Sequence, residues 1–324
     1  MLKTGFVGIL TDAVFDAISM HPGFDLTGVY PERDSLSGKS IAGKNLPRLS
    51  ADTLFACNEV LIIQQAGVGM LDIIIEALRH SRHIMLLDIE GLCSVPLTRL
   101  LKLHREAETV IKIMHTERVN PALKACLPLL NHPCLFDVKL MVPGNHDDNC
   151  CRPAAGALSR MLDVLLFLCP FNIQKTQSLR HHFSTSSTGL INARVEFDNG
   201  SVANILSSEI AEKEDFCIDI YQGNMLLKVD MLRHKLLCFE TRAKGITLKS
   251  YTKQYNNTAG QTIHNELDVF YNSIISKNST AKDLFELSRL LDLSQRITEK
   301  SSSSVSAYHP VSTNTLAGCI IKSK

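Results

Sequence analysis

Nowhere in the 324 residues do charges of one sign collect: 34 basic side chains stand against 33 acidic ones, a formal charge of +1. An electrostatic footprint for nucleic acid or an anionic membrane is therefore missing, which argues against both as partners and for small molecules or other proteins. Missing too is any apolar run near the ~20 residues that a membrane-spanning helix needs. The opening MLKTGFVGIL has one lysine and an apolar stretch too short for a signal peptide, with no cleavage-like site after it. A cytoplasmic protein is expected. The 10 cysteines form no CxxC pair, so they read as free thiols rather than as a disulfide framework or zinc site, and no metal is expected. In that compartment the sequons at Asn256 and Asn278 would stay unmodified. No internal repeat is visible.

What is present is a packed globular chain with 45% apolar residues, long enough for two domains. Over the first 118 residues, apolar strands (KTGFVGI, DLTGVY, CNEVLIIQQ, RHIMLLD, TVIKIMH) alternate with segments of helical spacing (TDAVFDAISMH, GMLDIIIEALRHS, PLTRLLKLHREAE). Between DLTGVY and CNEVLIIQQ the chain reads as a Gly/Ser/Lys loop. Strands that are apolar throughout imply a parallel sheet covered on both faces, a doubly wound α/β domain. After TERVNP the pattern changes: NPALKACLPLL and AAGALSRMLDVLLFLC are helical, and strands follow one another from Ile173 to Phe239. Asp198-Asn199-Gly200 between INARVEF and SVANILSS is a hairpin turn. The second domain, 119–297, is thus α+β on a largely antiparallel open sheet, closed by two helices around IHNELDVFYNSII and KDLFELSRLLDLSQRI. Residues 298–324 are rich in Ser and Thr and read as a mobile tail.

Three segments in this order, TERVNPALKACLPLL, INARVEFDNGSVANILSS and the closing helix pair, make the chain similar to the Gfo/Idh/MocA family across roughly residues 1–297. That resemblance implies an NAD- or NADP-binding Rossmann domain, a C-terminal α/β domain, and oxidoreduction of sugars, inositols or nucleotide-sugars. It also implies dimers or tetramers formed through the open face of the C-terminal sheet.

The family's motifs then fall on particular residues. Its G-x-G-x-x-G turn matches GILTDA, so Gly8 is kept while Leu10 and Ala13 replace the second and third glycines. Leu10 would sit where the phosphates approach, and Asp12 adds a negative charge beside them. The ribose-binding acid falls on Pro31; Glu32 next to it could reach a ribose, and Arg33 a 2′-phosphate. The nicotinamide-side Pro and His fall on Ala66 and Met70. The Glu-Lys-Pro motif falls on Leu87, Asp88 and Ile89, so an acid replaces the lysine that assists proton transfer. The Asp-x-x-x-His-x-x-Asp motif falls on Gly156, Arg160 and Asp163, so an arginine replaces the proton-accepting histidine and only Asp163 matches. Asn120 lies at the domain junction with Arg118 and Pro121, a hinge first and a cofactor contact second.

Elsewhere His146, Asp147, Asp148, Cys150 and Cys151 crowd one loop but are consecutive, and consecutive residues point apart, so a polar loop is the plainer reading. Arg180, His181 and His182 form a small cation cluster that reads as a solvated turn. Three readings follow. One is an NAD(P)-dependent oxidoreductase with rearranged chemistry, in which Asp88, Arg160 and His146 replace the usual groups. A second is a catalytically silent relative that holds a sugar, a nucleotide-sugar or a protein partner, and a third is a structural subunit that pairs with an active homologue through the open face of the second sheet. Leu10 and Pro31 predict weak or absent dinucleotide binding, and that binding separates the first reading from the other two.

Overall fold

The computed structural model describes residues 1–30, 46–64, 70–87, 97–143, 153–181, 189–242, 245–252, 259–277 and 282–300. The first half runs β1 (Leu2–Gly8), α1 (Asp12–Met20), β2 (Phe24–Tyr30), α2 (Ala51–Cys57), β3 (Val60–Gln64), α3 (Met70–Arg79), β4 (His83–Leu86), α4 (Leu97–Ala107) and β5 (Ile111–Ile113). These strands form one sheet in the order β2-β1-β3-β4-β5, every described pair parallel. Strand order reverses between β1 and β3, the place where open α/β sheets leave a crevice above the strand ends.

The apolar runs are explained by burial on both faces. Phe6, Ile62 and Met85 point to one side and Val7, Leu61, Ile63, Ile84 and Leu86 to the other, all nearly inaccessible. Between β2 and β3 lies a helix that the loop reading passed over. Ser50 starts α2 by accepting the Thr53 amide at 3.2 Å, and Leu54 and Phe55 are its buried side.

The second half continues with α5 (Pro121–Cys126), β6 (Leu135–Met141), α6 (Pro153–Leu168), β7 (Ile173–His181), β8 (Leu190–Phe197), β9 (Val202–Ser208), β10 (Asp215–Gln222), β11 (Met225–Asp230), β12 (Lys235–Arg242), β13 (Gly245–Thr252), α7 (Ala259–Ile275) and α8 (Lys282–Lys300). Eight strands lie in the order β13-β12-β11-β10-β6-β9-β8-β7, antiparallel except for β6 beside β9. Strict alternation places Phe136, Val138 and Leu140 of β6, and Phe216, Ile218 and Ile220 of β10, on one buried face. Helix α6 supplies much of what covers them, with Met161, Leu162, Val164 and Leu165 fully inaccessible. The opposite face carries Asp137, Lys139, Cys217, Asp219, Tyr221 and Lys228, and among the described residues no helix covers it. At the β8–β9 turn only Gly200 takes a positive φ, +83°, while Asn199 accepts from the Ser201 amide at 3.1 Å.

Helices α7 and α8 do more than close the second domain. Ile263, Leu267, Phe270 and Ile274 of α7 complete the cluster formed by Phe6, Val14, Ile18 and Phe24 of the first. His21 Nε2 lies 3.0 Å from Asp268 Oδ1, and a side chain at Gly23 would strike the ring of Tyr271 at 2.4 Å. Helix α8 extends through Lys300, taking in the first three residues of the expected tail, with Thr298 Oγ1 donating to Ser294 O. None of the described helices is long and apolar enough to cross a membrane.

Candidate functional site

At the crevice between β1 and β3, Gly8 and Gln64 are register partners. Gly8 has φ +111°, a conformation that favours glycine, and the chain turns there into α1. Thr11 precedes the helix without a side-chain cap bond, so the first-turn amides keep their hydrogen-bonding capacity. Gln64 Oε1 is buried and has no hydrogen-bond partner among the described residues. A strand-to-helix turn at such a place is where open α/β sheets receive phosphate-bearing groups.

Leu10 needs a correction. It is 8% exposed and packs into the cluster of Phe6, Val14 and Phe15 rather than projecting into the crevice. Hydrophobic burial turns the side chain inward, and the exposed neighbours on the turn are Ile9, Thr11, Asp12 and Ala13. Asp12 occupies the first turn of α1, at the positive end of the helix. Pro31, Glu32, Arg33, Ala66 and Asp88 lie outside the described residues, as do the loop with His146, Asp147, Asp148, Cys150 and Cys151, and His182. Arg180 and His181 lie on β7. Among the described residues no three metal-binding side chains converge.

Where the two domains meet, the arrangement is dense and charged. Helix α6 is apolar on almost every side, and the polar residues Arg160 and Asp163, three apart, face the segment after β5. Arg160 Nε donates to Glu117 at 2.6 Å and Nη1 to Glu214 at 3.1 Å, with the guanidinium 5.5 Å from the Phe216 ring centre. Burial works against its charge, but Glu117 and then Glu214 outweigh it, and its pKa is raised. A guanidinium so held cannot accept a proton.

Asp163, 7% exposed in its side chain, lies 2.8 Å from His115 Nδ1 and accepts from Arg118 Nη2 at 2.7 Å and Nε at 3.1 Å. Burial favours its neutral form, yet the hydrogen bond to His115 and the pairing with Arg118 hold it below the usual carboxylate range. Arg118 also donates through Nη1 to Glu286 of α8, and His115 Nε2, buried, has no hydrogen bond among the described residues. Asn120 belongs to this junction: its Oδ1 accepts from the Ala122 amide at 2.9 Å and its Nδ2 donates to Met231 O at 2.7 Å. Both ends of the Asn120 amide are thus occupied within the second half of the chain. Lys112 adds contacts at 3.5 Å to Glu266 of α7 and Asp283 of α8.

Of the residues singled out in the sequence, the structure brings Arg160, Asp163 and Asn120 to one junction and leaves Gly8, Leu10 and Ala13 at the separate crevice. His115, Glu117, Glu214, Glu286 and Gln64 were not singled out. Glu117 stands beside Arg118 in TERVNP, a signal available in the sequence; Glu214 lies 54 positions from Arg160, and no spacing rule links them.

No protein-family model matches the chain, and no curated protein does. Solved structures do match. UDP-N-acetylglucosamine 3-dehydrogenase GnnA from Acidithiobacillus ferrooxidans is 18% identical, with 92% of this chain and 97% of that chain covered and a TM-score of 0.79. Levoglucosan dehydrogenase in complex with NADH is 12% identical over 93% and 97% of the two chains, TM-score 0.78. Biliverdin reductase from Synechocystis sp. PCC 6803, in complex with biliverdin and NADP+, is 14% identical over 93% and 99%, TM-score 0.78. The architecture is that of Gfo/Idh/MocA-type dehydrogenases and reductases, the fold that the sequence resemblance implies.

Proposed function

We propose that this chain, folded like dehydrogenases of sugars and nucleotide-sugars, holds a ligand of that class between its two domains without the acid/base chemistry of hydride transfer. The observation that carries the reading is Arg160. At the position where the resemblance expects a proton acceptor, it is a permanent cation fixed by Glu117 and Glu214. Asp163, the motif residue that is kept, is consumed by Arg118 and His115 and serves the domain junction. Dinucleotide binding is weak or absent, because a pyrophosphate at the start of α1 would meet the carboxylate of Asp12.

Self-association belongs to the same reading. The open sheet face carries Leu179 (50% exposed), Tyr221 (37%), Leu248 (56%) and Ile246 (73%), apolar groups suited to a second copy of the chain. A cytoplasmic setting accords with the free cysteines.

Calorimetric titration of the full chain with UDP-N-acetylglucosamine, NAD, NADH, NADP and NADPH tests the proposal. Expected is binding of the nucleotide-sugar with little or none of the four dinucleotides. Micromolar dinucleotide affinity together with cofactor turnover on any sugar would overturn it.

A further inference from the structure

The two carboxylates on Arg160 differ in standing. Glu117 belongs to the domain junction and is 16% exposed; Glu214 is 42% exposed and ends the connection 209–214 between β9 and β10. An ion pair as exposed as the second contributes little, so Glu214 can be exchanged while Glu117 stays. The Arg160 side chain as a whole is 37% exposed, and the ring of fully buried Phe216 supports its guanidinium from one side. A permanent cation of fixed orientation whose outer partner is removable is a fork for an oxyanion.

The connection is built for release. Its start is tied down, with the Glu209 amide donating to Gly189 O at 2.9 Å and the Ile210 amide to Ser208 Oγ at 3.2 Å. Beyond that point Glu212, Lys213 and Glu214 are exposed. Replacing Glu214 by a ligand carboxylate leaves the charge around Arg160 unchanged and a phosphate adds at most about one further negative charge, so the nearby Glu117 does not forbid the exchange.

We propose that Glu214 is an internal substitute for an anionic group of the ligand, a carboxylate or a phosphate, which displaces it from Arg160 on binding. This rests on the reading of the inter-domain cleft as a ligand site and names the chemical class of that ligand.

Inorganic phosphate, glucuronate and glucose, titrated into the wild type, Glu214→Gln and Arg160→Gln, provide the test, and the two anions separate the phosphate source from the carboxylate source. Removing the competing carboxylate in Glu214→Gln raises affinity for the preferred anion up to about fivefold. Arg160→Gln loses anion binding, and the response to glucose is the same in all three. Hydrogen exchange gives a second readout that survives if Arg160→Gln fails to fold. The bound anion speeds amide exchange at 211–214 in the wild type toward the rate that Glu214→Gln shows alone. Equal anion affinity in all variants, no anion binding to wild type or Glu214→Gln, or unchanged exchange with anion bound would each overturn the proposal. If UDP-N-acetylglucosamine still binds in those cases, the cleft reading stands and only the role of Arg160 and Glu214 falls.

Discussion

Asp163→Asn keeps the size of the side chain and removes its charge, leaving Arg118, 14% exposed, with Glu286 as its remaining acidic partner. Breaking a buried ion pair by neutralising one member costs about 3–5 kcal/mol, and the slight solvent access here argues for the lower end, about 3 kcal/mol. At about 2 °C per kcal/mol for a chain above 200 residues, the melting temperature at pH 7 should fall by about 6 °C. Pairing the variant with Arg118→Gln in a double-mutant cycle should return a coupling of at least about 1 kcal/mol, since both changes remove the same contact. Acidification gives a further check. The folded-state pKa of Asp163 is depressed, so its contribution is fully present above the unfolded value near ~3.9 and is lost as pH falls through the folded one. The stability gap between wild type and Asp163→Asn must therefore close below about pH 4. A melting temperature within about 2 °C of wild type at pH 7, or additive effects in the cycle, would refute the account of the junction.

Other expectations concern separate parts of the molecule. Leu10→Ala opens a cavity in the core and should cost about 2–4 kcal/mol in urea unfolding without improving NADH binding, whereas Asp12→Asn should strengthen dinucleotide binding measured by calorimetry. Burial, with Asp215, Asp230 and Asp219 close by, pushes the Cys217 thiol up to about 12. Mass-spectrometric mapping at pH 8 should find it alkylated roughly tenfold or more slowly than the exposed Cys57 and Cys134, and Asp215→Asn should narrow that gap. Gly23→Ala forces the Tyr271 ring aside and should lower the melting temperature by several degrees, on the order of 1–3 kcal/mol. Leu248→Asp should reduce the sedimenting mass if the open sheet face joins two copies.

Much of the fold was legible because both sheets follow simple periodicities. The parallel sheet appears as continuous apolar runs and the second sheet as alternation, so β1, β2, β3, β4, β5, β8 and β9 fall within or close to their quoted segments. Helix α2 was overlooked because it is short and follows a stretch rich in Gly, Ser and Lys, although Ser50 marks its start. The strands after Phe239 were missed in part because the polar residues of TRAKGITLKSYTK hide the alternation of Ile246 and Leu248. At the site, motif spacing located Arg160 and Asp163 but not what they touch. Ion pairs between residues tens of positions apart depend on how two domains meet, and no local pattern records that. Leu10 shows the same limit: matching a glycine position fixed its place on the turn, and only packing decided which way its side chain went.

One face of the first sheet receives its final layer from Ile263, Leu267, Phe270 and Ile274. During synthesis on the ribosome, that face must wait until more than four-fifths of the 324 residues have been joined before its last covering exists. Cut away from α7, the N-terminal half should therefore expose apolar surface around Phe6 and Phe24, and a nascent chain paused in the antiparallel strands would carry the same unshielded patch.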